Sequence, residues 1–358
     1  MTLISFEDAI TMSTNYTKRH LLLGNGFSIA CIPSIFTYGS LFSRADFSKM
    51  PEIEKVFRSL KTEDFEMVID GLENSSKIIS AYDASLNKLA DTLHEHSQAL
   101  KEKLIETVAY NHPAFPSIIE NDKYRACIKF LKNFIDGGGN IYTLNYDLLL
   151  YWSLMFGMND KLIDTTPSDG FGRDTDYQDG EVFVNDYITW QGDSKAHGQN
   201  IHYLHGALHI YDHGHEVQKF TWTDTHKPLI NQAKEALESS RFPLFVAEGQ
   251  SKKKMEKIIH CGYLFHSYKS FSSVMKVGNK TTKYALFTYG VSFSENDAHI
   301  INKIPQGKVA HLFVSIFGNP DTEKNKAIIA SAEMLKRKRR SGDLEITYYD
   351  ASSANVWE

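Results

Sequence analysis

Five short apolar runs, none of them alternating with polar residues, set the tightest limit on what this chain can fold into. HLLLGNG at 20–26, NIYTLNYD at 140–147, PLFVAEG at 243–249, YALFTYG at 284–290 and AHLFVSIFG at 310–318 each end in a turn signal, and a helical pattern follows each. A strand with one wet face alternates, whereas a strand covered on both faces is apolar throughout. Covered strands alternating with helices specify a parallel sheet with right-handed crossovers. LEITYYDAS at 344–352 reads as one more strand, after the helical AIIASAEMLKRKRR. The expected architecture is α/β, a parallel sheet of six or more strands with helices on both faces.

Two segments break the alternation. Residues 46–136 carry helical periodicity alone, in PEIEKVFRSL, DFEMVIDGL, the long IISAYDASLNKLADTLHEHSQALKEKLIETVAY and YRACIKFLKNFID. They read as an all-helical insertion, 46–136, in a domain built from 1–45 and 137–358. Residues 157–199 are rich in Gly, Asp and Thr and contain GFGRDTD and YQDGE, the chemistry of a long loop with a short hairpin.

Charge and cysteine usage exclude several function classes. Lys and Arg total 39 against 44 Asp and Glu in 358 residues, so no global positive field holds nucleic acid. The 3 cysteines, Cys31, Cys127 and Cys261, form no CxxC pair and build neither a disulfide framework nor a four-cysteine zinc module. Glu7 and Asp8 stand where an export signal needs basic and then apolar residues. The most apolar stretches, 20–36 and 141–158, are interrupted by Asn25 and Pro33 and by Asn145 and Asp147, short of the ~20 clean residues of a membrane span. A cytoplasmic protein without membrane contact is expected.

Chemistry-bearing residues concentrate where the apolar runs end. Gly24-Asn25-Gly26-Phe27-Ser28 follows the first run, where glycine lets backbone approach a phosphate; it equally makes a tight strand-to-helix turn. Thr143, Asn145 and Asp147 end the second, either at the ligand crevice of an open sheet or as helix caps. His205, in YLHG, belongs to a segment with His202, His209, His213 and His215. Its spacing fits neither HExxH nor a finger, which leaves a general base or a satisfied core histidine ahead of a metal ligand. Gly290, Ser292 and Ser294 follow a late run, and Ser294 with Asp297 resembles a capping box. The Lys252-Lys253-Lys254 run and the basic run at 336–340 read as solvated faces.

Taken in order, Gly-x-Gly-x-Ser, Thr-x-Asn-x-Asp, His-Gly and Gly-x-Ser resemble the sirtuin (SIR2) superfamily. More narrowly, the chain resembles the bacterial SIR2-like proteins grouped as DUF4917, in LLLGNGFSIA, DFEMVIDGL, TLNYD, YLHGALHIYD, PLFVAEGQSKKKMEKI, LFTYGVSFSENDAHI and YYDASSANVW. The resemblance implies a Rossmann-like domain that binds NAD+. Gly24, Asn25, Gly26, Phe27 and Ser28 would surround the pyrophosphate, Thr143, Asn145 and Asp147 the nicotinamide ribose, and Gly290, Ser292 and Ser294 the adenosine side. Asn145 and His205 would be catalytic. The chain has Asn25 where sirtuins usually carry Ala, and it lacks the four zinc cysteines of deacylases.

Those departures point to the SIR2-like enzymes that hydrolyse NAD+ to nicotinamide and ADP-ribose, several of them antiphage-defence effectors. No metal is expected. Homo-oligomerisation, or a partner protein that senses infection, would switch the enzyme on. The alternatives are a catalytically silent NAD or ADP-ribose sensor and an NAD-dependent deacylase or ADP-ribosyltransferase. Nicotinamide leaves a cationic pyridinium as a neutral molecule, so the barrier is an oxocarbenium-like ribose, and positioning plus a base suffice.

Overall fold

The computed structural model describes residues 2–172, 177–178, 181–182, 187–192, 198–221, 227–276, 283–339 and 342–358. Its centre is a sheet of six strands: β1 (Lys18–Leu23), β2 (Ile141–Thr143), β3 (Ile201–Tyr203), β4 (Tyr284–Tyr289), β5 (Val309–Ile316) and β6 (Glu345–Asp350). All neighbours pair in parallel, in the spatial order β3-β2-β1-β4-β5-β6. This is the 3-2-1-4-5-6 order of a doubly wound, Rossmann-like sheet, with its topological switch point between β1 and β4.

Helices cover both faces, as side-chain parity shows. Leu21 pairs with Phe287 and Leu22 with Tyr142, so Phe287 and Tyr142 point to opposite sides. Phe287 meets Phe6 of the helix Phe6–Met12 and Phe134 of the helix Asn121–Ile135. Tyr142 meets Phe271 of the helix Gly262–Met275. Leu21, Leu22 and Leu23 have no exposed surface, which is why this run is apolar at every position.

Between β1 and β2 every regular element is helical, including the hairpin of Phe65–Tyr82 and Asn87–Asn111. Phe42, Phe47, Phe57 and Phe65 form an aromatic core of their own within this segment. Its last helix, Asn121–Ile135, packs on the sheet and so serves as part of the sheet's helical layer.

Two expectations about strands need correction. PLFVAEG forms no strand of the sheet, and the missing neighbour of β2 is Ile201–Tyr203. Gly206, at φ +82, turns the chain away after β3, and residues 243–249 follow the turned chain, with Val246 N–H donating to the His205 carbonyl at 2.9 Å. The sequence also left unread a four-stranded antiparallel sheet of Phe171–Gly172, Tyr187–Trp190, Val217–Phe220 and Ile210–Asp212. Tyr177–Gln178 and Glu181–Val182 pair as the expected hairpin; residues 173–176 of GFGRDTD, 179–180 of YQDGE, and Arg340 lie outside the described residues. Cys31, Cys127 and Cys261 are buried and unbridged, and the three build no cysteine zinc site. Among the described residues no helix is long and apolar enough to cross a membrane.

Candidate functional site

Strand register brings the four candidate turns to one level. Leu23 pairs with both Thr143 and Tyr289, and Thr143 pairs with Tyr203. The residues that follow, Gly24, Leu144, Leu204 and Gly290, therefore leave the carboxyl edge side by side, with Gly24 and Gly290 flanking the switch point.

At the switch point two backbone turns touch. Gly26 N–H donates to the Gly290 carbonyl at 3.0 Å, and Gly24 N–H to that of Tyr289 at 3.0 Å. A Cβ on Gly26 would lie 2.5 Å from Gly290 Cα, and one on Gly290, itself at φ +67, 2.4 Å from Gly26 Cα. The glycines are thus demanded first by each other. The amides of Phe27 and Ser28 also donate within the turn, to Gly24 and Asn25 carbonyls. Phe27 is a core residue, its ring against Trp357, and Asn25 Nδ2 donates to the Phe36 carbonyl. Asn25, Gly26 and Gly290 keep partial exposure and Ser292 is exposed, so these residues are accessible at the carboxyl edge.

The second turn is tied to the first through Ser28. Asn145 Nδ2 donates to Ser28 Oγ at 2.9 Å, and Ser28 Oγ donates to Asp147 Oδ2 at 2.5 Å. Asp147 Oδ1 accepts the Leu149 amide, capping the helix Leu149–Asn159, while Thr143 Oγ1 accepts the Asn145 amide. Burial raises the Asp147 carboxyl above its ordinary range, against the hydrogen bonds from Ser28 and Leu149. Asp147 is therefore a helix cap as well as a member of the network.

His205 lies in a second buried group. Its Nε2 is 3.1 Å from His299 Nε2 and 3.9 Å from Asp297 Oδ1. Asp297 Oδ1 accepts from Lys254 Nζ at 3.0 Å, and Lys254 Nζ also donates to Glu66 Oε2 at 2.8 Å. Tyr146 links the two groups: it follows Asn145 directly, its ring centroid is 6.4 Å from that of His205, and its hydroxyl donates to the Val246 carbonyl at 2.7 Å. No hydrogen bond joins His205 itself to the Gly24 turn or to Asn145 among the described residues.

The charges here are held by one another. Burial alone would lower Lys254, but Glu66 and Asp297 more than offset it and raise its pKa. Burial raises Glu66 despite Lys254. Burial, aided by Lys254, holds His205 well below the ordinary imidazole range against the pull of Asp297, and burial takes His299 down to about 4. Both imidazoles are neutral at pH 7. An open cleft of 540 Å³ is lined by Tyr38, Phe57, Arg58, Lys61 and Asp64 among others, and by no member of this group. The Tyr38 hydroxyl is raised by desolvation and by Asp64, Glu66 and Asp297, although the residue as a whole is 43% exposed.

Lys254, Glu66, Asp297 and His299 were not expected at the site. The reading of 252–254 as a solvated face fails for Lys254, which is 1% exposed, and for Lys253, which pairs with Glu73. Lys254 and the fully buried Ile258 are four residues apart and share a helix face, a signal present in the sequence. The expected capping box is absent too: the Ser294 hydroxyl makes no cap bond, and the Asp297 carboxylate is committed to a buried ammonium. The histidine run is dispersed, with His202 bonded to Gln199 and Ser270 while His215 is solvent-facing.

A family model described as a domain of unknown function, DUF4917, matches residues 21–357. The chain belongs to the DUF4917 family. None of the curated proteins matches it. The two ends of the DUF4917 match meet at the switch point: Leu21 lies in β1, and the Trp357 indole N–H donates to the Phe27 carbonyl at 2.9 Å. The DUF4917 phrases DFEMVIDGL, PLFVAEGQSKKKMEKI and LFTYGVSFSENDAHI supply Glu66, Lys254 and Asp297 with His299, respectively.

Proposed function

We propose that this DUF4917 protein binds NAD+ across the β1/β4 switch point and hydrolyses its nicotinamide–ribose bond. The observation that carries the reading is the level row of four turns, which brings the Gly24 and Gly290 lips, Asn145 and His205 to one edge of a 3-2-1-4-5-6 sheet. Asn25, Gly26 and Gly290 would approach the pyrophosphate, with Ser292 and Ser294 toward the adenosine side. Asn145 would orient the ribose and the attacking water. His205 takes a proton from that water as its oxygen bonds to the ribose carbon, and the breaking C–N bond leaves its electron pair on neutral nicotinamide. A neutral imidazole at pH 7 suits this role.

Release of free nicotinamide from NAD+ by the purified protein, with its activating partner or assembly supplied, tests the reading. Asn145→Ala and His205→Ala should each lower the rate ~10²–10⁴-fold while nucleotide binding persists, since both act on charge that develops in the transition state. Asn145→Ala leaves the Ser28–Asp147 bond in place, so the turn keeps its frame. The depressed basicity of His205 favours a second reading, a silent NAD or ADP-ribose sensor. That reading predicts binding without nicotinamide release under any activating condition. Cytoplasmic residence and control by oligomerisation or a partner belong to the same proposal, since unchecked NAD+ hydrolysis would kill the host.

A further inference from the structure

A general base must present a lone pair, and a neutral imidazole has only one. Which nitrogen of His205 carries it is decided by His299. The two Nε2 atoms stand 3.1 Å apart, so one of them holds the hydrogen and the other accepts it. On its far side His299 Nδ1 lies 3.2 Å from Ser251 Oγ, and the same oxygen accepts the His299 backbone amide at 2.7 Å.

We infer that His299 is a positioning residue for His205: its Nδ1–H donates to Ser251 Oγ, its Nε2 accepts the hydrogen of His205 Nε2, and the lone pair is left on His205 Nδ1. This rests on the reading of His205 as the base. The arrangement follows the general rule that a partner hydrogen bond fixes the tautomer of a working histidine. Asp297 Oδ1, 3.9 Å from His205 Nε2, faces the hydrogen-bearing side, where it stabilises the imidazolium formed when Nδ1 takes a proton. Lys254 holds that carboxylate and is itself anchored by Glu66 from the helix Phe65–Tyr82, so the helical segment contributes to the geometry of the base.

His205, His299 and Asp297 also place one donor atom each within 4.8 Å of one another, a spacing three metal ligands could share. The shared hydrogen is the better account of the pair, because Lys254 already supplies the cation at Asp297.

Long-range proton–nitrogen NMR of the imidazoles tests the assignment without any substrate. In the parent protein His205 should show a hydrogen on Nε2 and none on Nδ1, and His299 the reverse. His299→Gln, whose side-chain oxygen can accept the same hydrogen, should keep that His205 pattern and most of kcat. His299→Leu should let His205 exchange tautomers and lower kcat on the order of 10²-fold at little change in KM. Should the leucine variant fail to fold, Ser251→Ala provides the weaker form of the same loss. A hydrogen on His205 Nδ1 in the parent, an unchanged pattern and kcat in His299→Leu, or stoichiometric metal held through both imidazoles would each overturn the assignment. The assigned tautomers in a protein that never releases nicotinamide would uphold the positioning and count against the reaction, which separates the two.

Discussion

Acidification to about pH 5 is expected to unfold the protein cooperatively, because each buried neutral histidine then costs about 2 kcal/mol relative to the unfolded chain. His20, His112, His202, His205, His209 and His299 are buried, and burial is the leading cause that lowers each; His20 and His202 fall to about 3 and His112 and His299 to about 4. The sign follows from linkage. An unfolded imidazole takes up a proton near pH 6.5 and the folded one does not, so stability is complete above that pH and is lost as pH falls toward the folded values. The four with folded values of about 3 to 4 remove about 8 kcal/mol by about pH 5, within the range of the whole stability of a typical domain, and His205 and His209 act in the same direction. Glu66, Asp147, Asp64 and Glu102, each raised chiefly by burial, work in the opposite direction but are outnumbered by the histidines. Circular dichroism from about pH 8 to pH 4 checks this. A native spectrum retained through the lower limit would show that the histidines are not held neutral.

The second large effect is steric. Gly290→Ala is expected to destabilise by about 3–5 kcal/mol, combining left-handed strain with overpacking against a backbone that cannot move aside. Gly318 is the control: its φ of +72 is close to the +67 of Gly290, but no atom lies within 4 Å of an added Cβ. Gly318→Ala should therefore cost only about 1 kcal/mol of backbone strain. Urea titration of both variants separates the terms, and equal midpoints would refute the backbone contact at the switch point. The contact also alters what bulk at Gly26 would do. Read from sequence, it blocks a phosphate; in the structure it first pushes the β1 and β4 turns apart.

The sheet was legible because burial on both faces leaves a chemical mark. Runs such as 21–23 and 285–287 are apolar at every position, and that pattern has few other causes. Ile201–Tyr203 escaped notice for the same reason in reverse, being three residues long with a histidine at its centre. PLFVAEG carries the composition of a strand, and the deciding feature, a left-handed glycine at 206, lies 37 or more residues upstream.

The candidate site was legible in its turns and not in its charges. Small and polar residues directly after a covered strand point to the carboxyl edge, which is where Gly24, Asn145, His205 and Gly290 stand. Lys254 meets Glu66 across a separation of 188 residues, and no local pattern records a contact at that range. A lysine among lysines looks solvated, and only its place on the buried face with Ile258 tells otherwise.

A structure of the protein with NAD+ bound decides whether the switch point is the nucleotide site. The pyrophosphate should lie over the carboxyl ends of β1 and β4, beside Asn25, Gly26 and Gly290, with the nicotinamide ribose within hydrogen-bond reach of Asn145 and its reacting carbon on the His205 side. NAD+ held elsewhere, with this edge empty, would contradict that placement.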